Sequence, residues 1–444
     1  MQNKLPFTEE ELEACLKVLR KIARTPDLAN DETELKTLVA KIYKKAKKEK
    51  KNRQRQQLRQ EDQHKINQSF IFQSNDEQNA SRLDEAFFQE KSLGKLNKSK
   101  NCYICKQAYQ DLHYFYHELC PDCAEFNLQK RHQSADLNGR RAVLTGGRKK
   151  IGLQIGLKLL RAGAELIVST RFPENARLAY QKEDDFAEWQ NRLHISGLDL
   201  RNIRAVETFT NQLYEQFDAM DIIVNNAAQT VKRPLTFYQH LLEKEQQNFL
   251  IEGQNQSQKL ALLDQHFPPG SFDKDFQQVD LRPDNSWITK LEGVSTLELL
   301  EVQLVNSIAP FLLNSRLKKL LEQSAFERKF IVNVSAVEGQ FERNYKSPFH
   351  PHTNMAKAAL NMMTRTSAED YAQSGIYMTS VDTGWITDEN PHPKKVRLRE
   401  NGFVPPLDLI DGAARVCAPI FEGVSNPDPP ELGVFIKDYK ITRW

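Results

Sequence analysis

The stretch RAVLTGGRKKIG, from Arg141 to Gly152, decides the fold of this 444-residue chain. A short apolar strand, RAVLT, leads through a glycine-bearing turn into an amphipathic helix that extends to about Ala162. Such a turn presents backbone N–H groups and the positive end of a helix to a pyrophosphate. The stretch therefore predicts the first strand–turn–helix unit of a dinucleotide-binding domain.

The same alternation continues along the rest of the chain. Six further strand-like runs, separated by helical segments, are residues 165–169, LHISGLDL (193–200), MDIIVNNAA (220–228), KFIVNVSA (329–336), IYMTSVDTGW (376–385) and GVFIKD (433–438). Strands that alternate with helices indicate a parallel sheet covered on both faces. We therefore predict an α/β fold, a Rossmann-type doubly wound parallel sheet, over residues 138–444.

Composition sets limits on the class of protein. The chain is 39% hydrophobic and 27% charged, which is enough apolar material for at least one large core. Its mean hydropathy is −0.62. No run approaches the ~20 apolar residues of a transmembrane helix, and the N-terminus lacks the apolar segment of a secretory signal. We expect a soluble, cytoplasmic protein without a transmembrane segment.

The first hundred residues are helical in pattern and mildly basic. Thr8 followed by Glu11 is a capping-box pattern, and apolar residues then recur at helical spacing in two segments. We predict a helical hairpin with a basic extension over residues 1–60, then a polar linker over 61–100 with one short helix near LDEAFF. The basic stretch 44–59 is either a nucleic-acid or anionic-membrane contact, or a solvated helix that docks a protein partner. Because no aromatic residues are interleaved for base stacking, the second interpretation is favoured and a nucleic-acid partner is not expected.

Four of the six cysteines are clustered within 22 residues. Two Cys-x2-Cys pairs with a 14-residue spacer supply four thiolates in the pattern of a tetrahedral Zn²⁺ site: Cys102, Cys105, Cys120 and Cys123. The alternative is a set of core or disulfide cysteines. We predict a small zinc module over residues 101–137, preceding the sheet domain. The metal would be structural, and the module or the N-terminal region could contact a protein partner.

The ordered segments of the sheet domain resemble the short-chain dehydrogenase/reductase family. The matching pieces are TGGRKKIG, LDL with Asp199, NNAA, VNS with Asn306, IVNVSA, the lysine of NMAKAALNMMTRTSA, and VDTGW. The resemblance covers about residues 138–444. It implies hydride transfer between a nicotinamide cofactor and a carbonyl or alcohol, and a homo-oligomer.

The resemblance also implies a cofactor site. Its residues would be Thr145, Gly146, Lys150, Ile151 and Gly152 at the phosphate turn, Asp199 with Leu200 at the adenine, Asn225 and Ala227 in the cleft, Lys357 at the ribose, and Thr387 at the nicotinamide end. Lys150 stands where most members have a glycine, although pteridine-reductase-like members also carry a basic residue there.

Charge at the end of the second strand bears on which dinucleotide binds. NAD-binding proteins usually place an acid there for the ribose hydroxyls, whereas this chain has Thr170-Arg171, with Arg148 in the first turn. Arginines form bidentate contacts with phosphates, so the pair suits the 2′-phosphate of NADP. The alternative is that Arg171 is a solvated loop residue. We predict NADP in preference to NAD.

The family's catalytic set is incomplete. Asn306 and the lysine, Lys357, are in place, but the serine position is Ala336, next to Ser335, and the tyrosine position is Thr353. A threonine hydroxyl is a poor general acid near neutral pH.

A relocated proton donor would come from the segment before Lys357. The segment also offers Tyr345, His350 and His352, and each could be a plain loop or capping residue. Because their pKa values suit proton transfer near neutral pH better than that of an alcohol, we expect Tyr345 and His352 ahead of Thr353. A second departure is the stretch 237–280, which reads as an insertion that forms a lid, an oligomer contact or an exposed elaboration.

Two main hypotheses follow for the function. The first is an NADP-dependent oxidoreductase acting on an unknown small-molecule carbonyl or alcohol, with an atypical catalytic site. The second is a catalytically silent NADP-binding scaffold or redox-sensing interaction protein. A nucleic-acid-associated protein is the third and weakest.

Overall fold

The computed structural model describes residues 7–26, 33–74, 92–245, 266–273, 277–342 and 346–444. The helices are Glu9–Arg24 (α1), Thr33–Asn67 (α2), Phe70–Ser74 (α3), Pro121–His132 (α4), Lys150–Arg161 (α5), Pro173–Tyr180 (α6), Phe186–Trp189 (α7), Ile203–Gln216 (α8), Gln239–Glu245 (α9), Thr296–Gln303 (α10), Ala309–Arg316 (α11), Lys318–Glu322 (α12), Pro351–Ala372 (α13), His392–Glu400 (α14) and Leu409–Ser425 (α15). The strands are Lys95–Asn101 (β1), Ala108–Asp111 (β2), Arg141–Thr145 (β3), Glu165–Thr170 (β4), Leu193–Gly197 (β5), Ile222–Asn225 (β6), Lys329–Ser335 (β7), Ile376–Asp382 (β8), Phe435–Lys437 (β9) and Lys440–Thr442 (β10).

The chain divides into two compact units, Met1–Lys65 with Leu96–Lys98, and Ile66–Lys95 with Ser99–Trp444. In the first unit, the predicted capping box begins α1, since Thr8 and Glu11 each accept the other's backbone N–H. The basic stretch 44–59 is exposed along α2. That helix continues to Asn67, past the predicted boundary at residue 60, because a polar sequence of good helix formers gives no stop signal there. LDEAFF lies outside the described residues.

The second unit contains the cysteine module, which comes after α3 along the chain. Strands β1 and β2 pair antiparallel, and α4 follows the last cysteine pair. The aromatic spacer forms the module's core, where Phe115 and Tyr116 are fully buried beside Phe70 of α3. The hairpin begins at Lys95, within the stretch predicted to be a linker.

An eight-stranded sheet forms the body of this unit, in the order β10-β9-β8-β7-β6-β3-β4-β5. Strands β3 to β9 run parallel, and the predicted doubly wound α/β fold is confirmed. Strand β10 was not predicted. It returns antiparallel after a two-residue turn in which Asp438 and Tyr439 both have positive φ, as tight hairpins require.

Helices cover both faces of the sheet. Helices α5 and α15 pack on one face, with Ile155, Leu159 and Val416 fully buried. Residues of α8, α11 and α13 join the apolar core on the other face. Within the described part of the chain, the helical stretch Thr296–Arg316 has the length and composition of a membrane span, with 28% of it buried. This is weak evidence for a membrane, because Ala309 and Leu313 of that stretch lie in the core of the sheet domain.

Candidate functional site

A cleft of about 760 Å³ lies at the carboxyl ends of the parallel strands. Strand β3 has β4 on one side and β6 on the other, so the chain reverses its direction of winding there. Ligands of open α/β sheets bind at such a reversal. The cleft therefore occupies the position that the sequence predicted for a dinucleotide.

The turn after β3, which the sequence predicted to bind a pyrophosphate, has close backbone approaches at its glycines. Gly146 has a φ of +71°, and a Cβ there would lie 2.9 Å from the Cα of Ala227. A Cβ on Gly152 would lie 2.1 Å from the carbonyl oxygen of Gly146, so only glycine fits. Thr145 fixes the neighbouring loop by accepting the backbone N–H groups of Asn226 and Ala227, each at 3.0 Å.

Lys150 adopts the left-handed conformation of the glycine that it replaces, with a φ of +53°. Its ammonium group lies 3.7 Å from Glu389, across the mouth of the cleft. The positive charge of Lys150 is the main cause that lowers the pKa of Glu389, to about 2. Burial of the carboxylate acts in the opposite direction but is the smaller effect. The resemblance implied the glycine-like position, but the pairing with Glu389 follows only from the fold.

Arg148 and Arg171 both line the cleft beside the end of β4, the part that the sequence predicted to be its adenosine end. The guanidinium of Arg148 donates to Asn175 at 2.7 Å and lies 5.1 Å from the ring centre of Phe172. Burial, with the charge of Arg171 nearby, lowers the pKa of Arg148 to about 10. The guanidinium of Arg171 lies 4.7 Å from the ring centre of Tyr238. The two guanidinium groups therefore place two positive charges near each other at this end of the cleft.

The insertion, for which the sequence allowed a lid, an oligomer contact or an exposed elaboration, contributes residues to the lining of this part of the cleft. Tyr238 stacks on Phe172 with ring centres 5.4 Å apart. Glu245, at the end of α9, accepts the backbone N–H groups of Glu174 and Asn175 at 2.9 and 2.8 Å, and so caps α6. The described part of the insertion thus covers the adenosine end; residues 246–265 and 274–276 lie outside the described residues.

Asp199 and Leu200 line the cleft beyond β5. Burial opposes the ionisation of Asp199, but its hydrogen bonds to Arg201 outweigh burial and lower its pKa. Asn225, in contrast, points into the core, where its amide donates to Asn314 and Asn333 at 2.8 Å. Its neighbour Asn226 lines the cleft in its place.

Lys357 and Thr353, on successive turns of α13, line the end of the cleft beside β7, which the resemblance implies is the reaction end. The Lys357 ammonium donates to the carbonyl of Val334 at 2.7 Å, and burial lowers its pKa to about 8. The Thr353 hydroxyl is buried and has no hydrogen-bond partner among the described residues. Ser335 and Ala336 line the same end, but the Ser335 hydroxyl is held by Asn361 at 2.6 Å.

The candidate proton donors are placed very differently. His350 lines the cleft, has its ring stacked 4.1 Å from that of Trp287, and shares a hydrogen bond of 2.9 Å with Asn354. Burial lowers the pKa of His350. His352 is buried outside the cleft lining, with its Nε2 atom 3.4 Å from a carboxylate oxygen of Glu298. Tyr345 lies outside the described residues.

Asn306 lies in a π-helical turn, Leu304–Ile308, between α10 and α11. Its side-chain oxygen accepts the backbone N–H of Gln229 at 2.7 Å, and its amide donates to the Gln229 carbonyl at 3.1 Å. Asn306 therefore fixes a residue that lines the cleft. Thr387 also lines the cleft, and its hydroxyl donates to Glu389 at 3.0 Å.

The four predicted metal ligands converge in the cysteine module. Their sulfur atoms all lie within 4.8 Å of one another, and those of Cys105 and Cys120 are 3.7 Å apart. A tetrahedral Zn²⁺ ion with bonds of about 2.3 Å needs sulfurs about 3.8 Å apart, so the cluster fits such an ion. The spacer histidines are used elsewhere: His113 accepts the backbone N–H of Phe115 at 3.0 Å.

Comparisons with known proteins agree with this architecture. The family model described as short chain dehydrogenase matches residues 140–249. An uncharacterized protein of Acanthamoeba polyphaga mimivirus is 33% identical over 356 residues, which cover 75% of this chain and 74% of that protein. The 3beta-hydroxysteroid dehydrogenase 2 of Eggerthella lenta is 36% identical over 99 residues, which cover 22% of this chain and 36% of the enzyme.

A solved structure, the NADPH-bound carbonyl reductase from chicken fatty liver, is similar with a TM-score of 0.46 and 18% identity. The alignment covers 69% of this chain and all of that reductase.

Proposed function

The chain belongs to the short-chain dehydrogenase/reductase family, and we propose that it is an NADP-dependent oxidoreductase acting on a small carbonyl or alcohol. One observation carries the proposal. The glycine cradle, two arginines at the adenosine end and a buried lysine at the reaction end line a single cleft. When bound, NADPH would supply the hydride. The residues of this chain would bind the cofactor, orient the substrate and protonate the substrate oxygen.

The residues at the reaction end divide these tasks. The pKa of Lys357 is about 8, so most of its ammonium group is charged at pH 7. It would bind the nicotinamide ribose and stabilise the negative charge that develops on the substrate oxygen. His350, held against Trp287, or Thr353 would move the proton. Because its pKa is lowered, the His350 ring is mostly neutral at pH 7 and suits proton acceptance during alcohol oxidation. Carbonyl reduction through His350 should therefore speed up as the pH falls.

The experiment is a panel of carbonyls and alcohols assayed with the full chain by the absorbance of NADPH. Turnover of any member, with incorporation of hydride from labelled NADPH, supports the oxidoreductase. A cofactor-loaded protein that turns over none of them supports the second candidate, a silent NADP-binding scaffold or redox sensor. This second candidate is supported by the sequence, in which Thr353 and Ala336 stand at the family's tyrosine and serine positions.

Cofactor preference is tested by Arg171→Asp. The substitution places a carboxylate against the 2′-phosphate, so the ratio of NADPH to NADH affinity should fall about 10-fold or more, the effect of losing one charge-assisted phosphate contact. Calorimetry on both nucleotides measures the ratio. Arg177→Asp is the matched control, because Arg177 of α6 is exposed, pairs with Glu174 and does not line the cleft. An unchanged ratio in Arg171→Asp would refute the assignment.

We also propose that the cysteine cluster holds one structural Zn²⁺ ion per chain. All four positions of a tetrahedral ion would be filled by sulfur, so the metal would have no open site for chemistry. Cys120→Ser should release the metal and unfold the module, because metal binding contributes directly to the folding free energy of small modules. Metal analysis and proteolysis across residues 101–132 measure both effects. Cys417→Ser, a buried cysteine outside the cluster, is the control; a zinc-free wild-type protein made in zinc-replete, reducing medium would contradict the proposal.

We also propose an oligomeric state and a location for the protein. Helices α10, α11 and α13 expose large apolar side chains, namely Leu297, Leu300, Phe311, Met355 and Met362. Exposed apolar side chains on neighbouring helices suit a homo-oligomer contact. We place the enzyme in the cytoplasm, with a protein partner engaging the N-terminal region or the cysteine module.

A further inference from the structure

We infer that the cysteine module is part of the reaction end of the cleft, where Tyr103 is a positioning residue for the loop after β8, and that metal binding and dinucleotide binding are therefore coupled. The inference rests on the proposed function, because its two ligands are the Zn²⁺ ion and the NADPH proposed there. It assigns a role to a module that the family's chemistry does not require.

The knuckle that holds the first two cysteines faces the cleft. Tyr103 and Lys106, which alternate with Cys102 and Cys105, line the cleft together with Asp382 and Trp385. The knuckle is a tight loop, because Lys106 donates its backbone N–H to the Cys102 carbonyl at 3.1 Å. A metal bound by both cysteines would therefore fix the position of Tyr103 between them.

A direct hydrogen bond joins the knuckle to the loop. The backbone N–H of Trp385 donates to the phenolic oxygen of Tyr103 at 3.0 Å. The ammonium of Lys437, in β9, lies 5.5 Å from the centre of the same ring and pairs with Asp438 at 3.0 Å. The Tyr103 ring thus lies beside Lys437 of β9, while its oxygen accepts the N–H of Trp385 in the loop after β8.

The loop and the module also share one hydrophobic core. Ile386 and Leu407 are 6% and 0% exposed and pack in the aromatic cluster that contains Phe115 and Tyr116. Ile386 lies between Trp385, held by Tyr103, and Thr387, which lines the cleft. Loss of the module's fold would therefore expose Ile386 and release the loop at the nicotinamide end.

Buried polar contacts also join the cysteine module to the start of α15. The Tyr116 hydroxyl donates to Asp411 at 2.6 Å, and the Arg131 guanidinium donates to Asp408 at 2.6 Å. Arg131 also pairs with Asp411 at 3.2 Å, and because both residues are almost fully buried, this ion pair is costly to break. The module is consequently fixed to the sheet domain on the side of the cleft, and its order is transmitted to the loop.

Coupling of two ligands through one element is reciprocal, and typical values are about 5–150-fold in affinity. Removing the metal should weaken NADPH binding by a factor in this range, and NADPH should slow metal loss. Tyr103→Phe removes only the acceptor for the Trp385 N–H and leaves the cysteines intact. It should weaken NADPH binding by about 2–10-fold, as the loss of one hydrogen bond does.

The experiment uses the full chain and three measurements: zinc content, NADPH affinity by calorimetry, and hydrogen exchange of the peptide that covers residues 383–390. Tyr109→Phe is the matched control, because its hydroxyl donates to the His117 carbonyl inside the module and does not contact the loop. We expect Tyr103→Phe to keep its zinc, bind NADPH more weakly and exchange the Trp385 amide faster. Tyr109→Phe should leave exchange in this peptide at the wild-type rate.

Equal exchange in this peptide for wild type and Tyr103→Phe, or before and after removal of the metal with a chelator, would overturn the inference. The outcomes separate it from the proposed function. If the protein bound no NADPH but the loop still responded to Tyr103→Phe and to the chelator, the positioning role would stand and the cofactor proposal would fail. If the purified protein held no metal, Tyr103→Phe alone would decide the positioning role, and the coupling to metal would be refuted.

Discussion

Replacing Lys357 by alanine is expected to lower kcat by about 10²–10⁴, the usual contribution of a group that assists proton transfer. The Lys357 ammonium is buried at the reaction end, where it donates to the Val334 carbonyl at 2.7 Å. Its pKa of about 8 keeps most of it charged at pH 7. The same substitution should weaken NADPH binding, because a ribose contact is lost. Steady-state kinetics on the best substrate and calorimetry measure the two effects.

Lys329→Ala is the control for burial of a lysine. Lys329 is also buried in the sheet domain, but its ammonium donates to the Glu327 carbonyl, away from the cleft. This variant should change stability without changing kcat. Lys357→Ala with full turnover, in a folded protein, would exclude Lys357 from the reaction.

His350→Gln is expected to lower kcat by a similar factor, about 10²–10⁴, and to leave NADPH affinity nearly unchanged. Glutamine keeps a polar side chain that can bond Asn354, but it cannot carry the proton. The wild-type rate of carbonyl reduction should rise as the pH falls through the lowered pKa of His350. In His350→Gln this rise should be absent. The pH profile of kcat for both proteins is the measurement.

His352→Gln is the matched control, two residues away and outside the cleft lining. It should leave kcat and the pH profile close to those of the wild type. If Thr353→Ala alone abolished turnover, the threonine hydroxyl would be the donor. If His350→Gln and Thr353→Ala were both fully active, the donor would lie elsewhere, with Tyr345 as the remaining candidate of that segment.

The sequence predicted those parts of the site that depend on local pattern. The glycines of the first turn, the arginine after β4 and the lysine of α13 all line the cleft, because strand ends and helix starts fix their direction. The cysteine spacing likewise predicted a cluster that the structure forms. In each case a short stretch of chain carries its own geometry.

The rest depends on contacts between distant segments. Spacing alone did not distinguish His350, in the cleft, from His352, which lies against Glu298. The one-residue difference between Asn225 and Asn226 also decides which side chain faces the core and which the cleft. The Tyr103–Trp385 bond joins residues 282 positions apart, and no local signal in either segment indicates it.

Calorimetric titration of the full chain with NADPH and with NADH tests the central claim, that this cleft is an NADP site, most directly. We expect one saturable site per chain, with NADPH bound more tightly than NADH. Gly152→Val should abolish binding, because a Cβ at that position would lie 2.1 Å from the Gly146 carbonyl oxygen. A folded wild-type protein that showed no saturable binding of either nucleotide would contradict it.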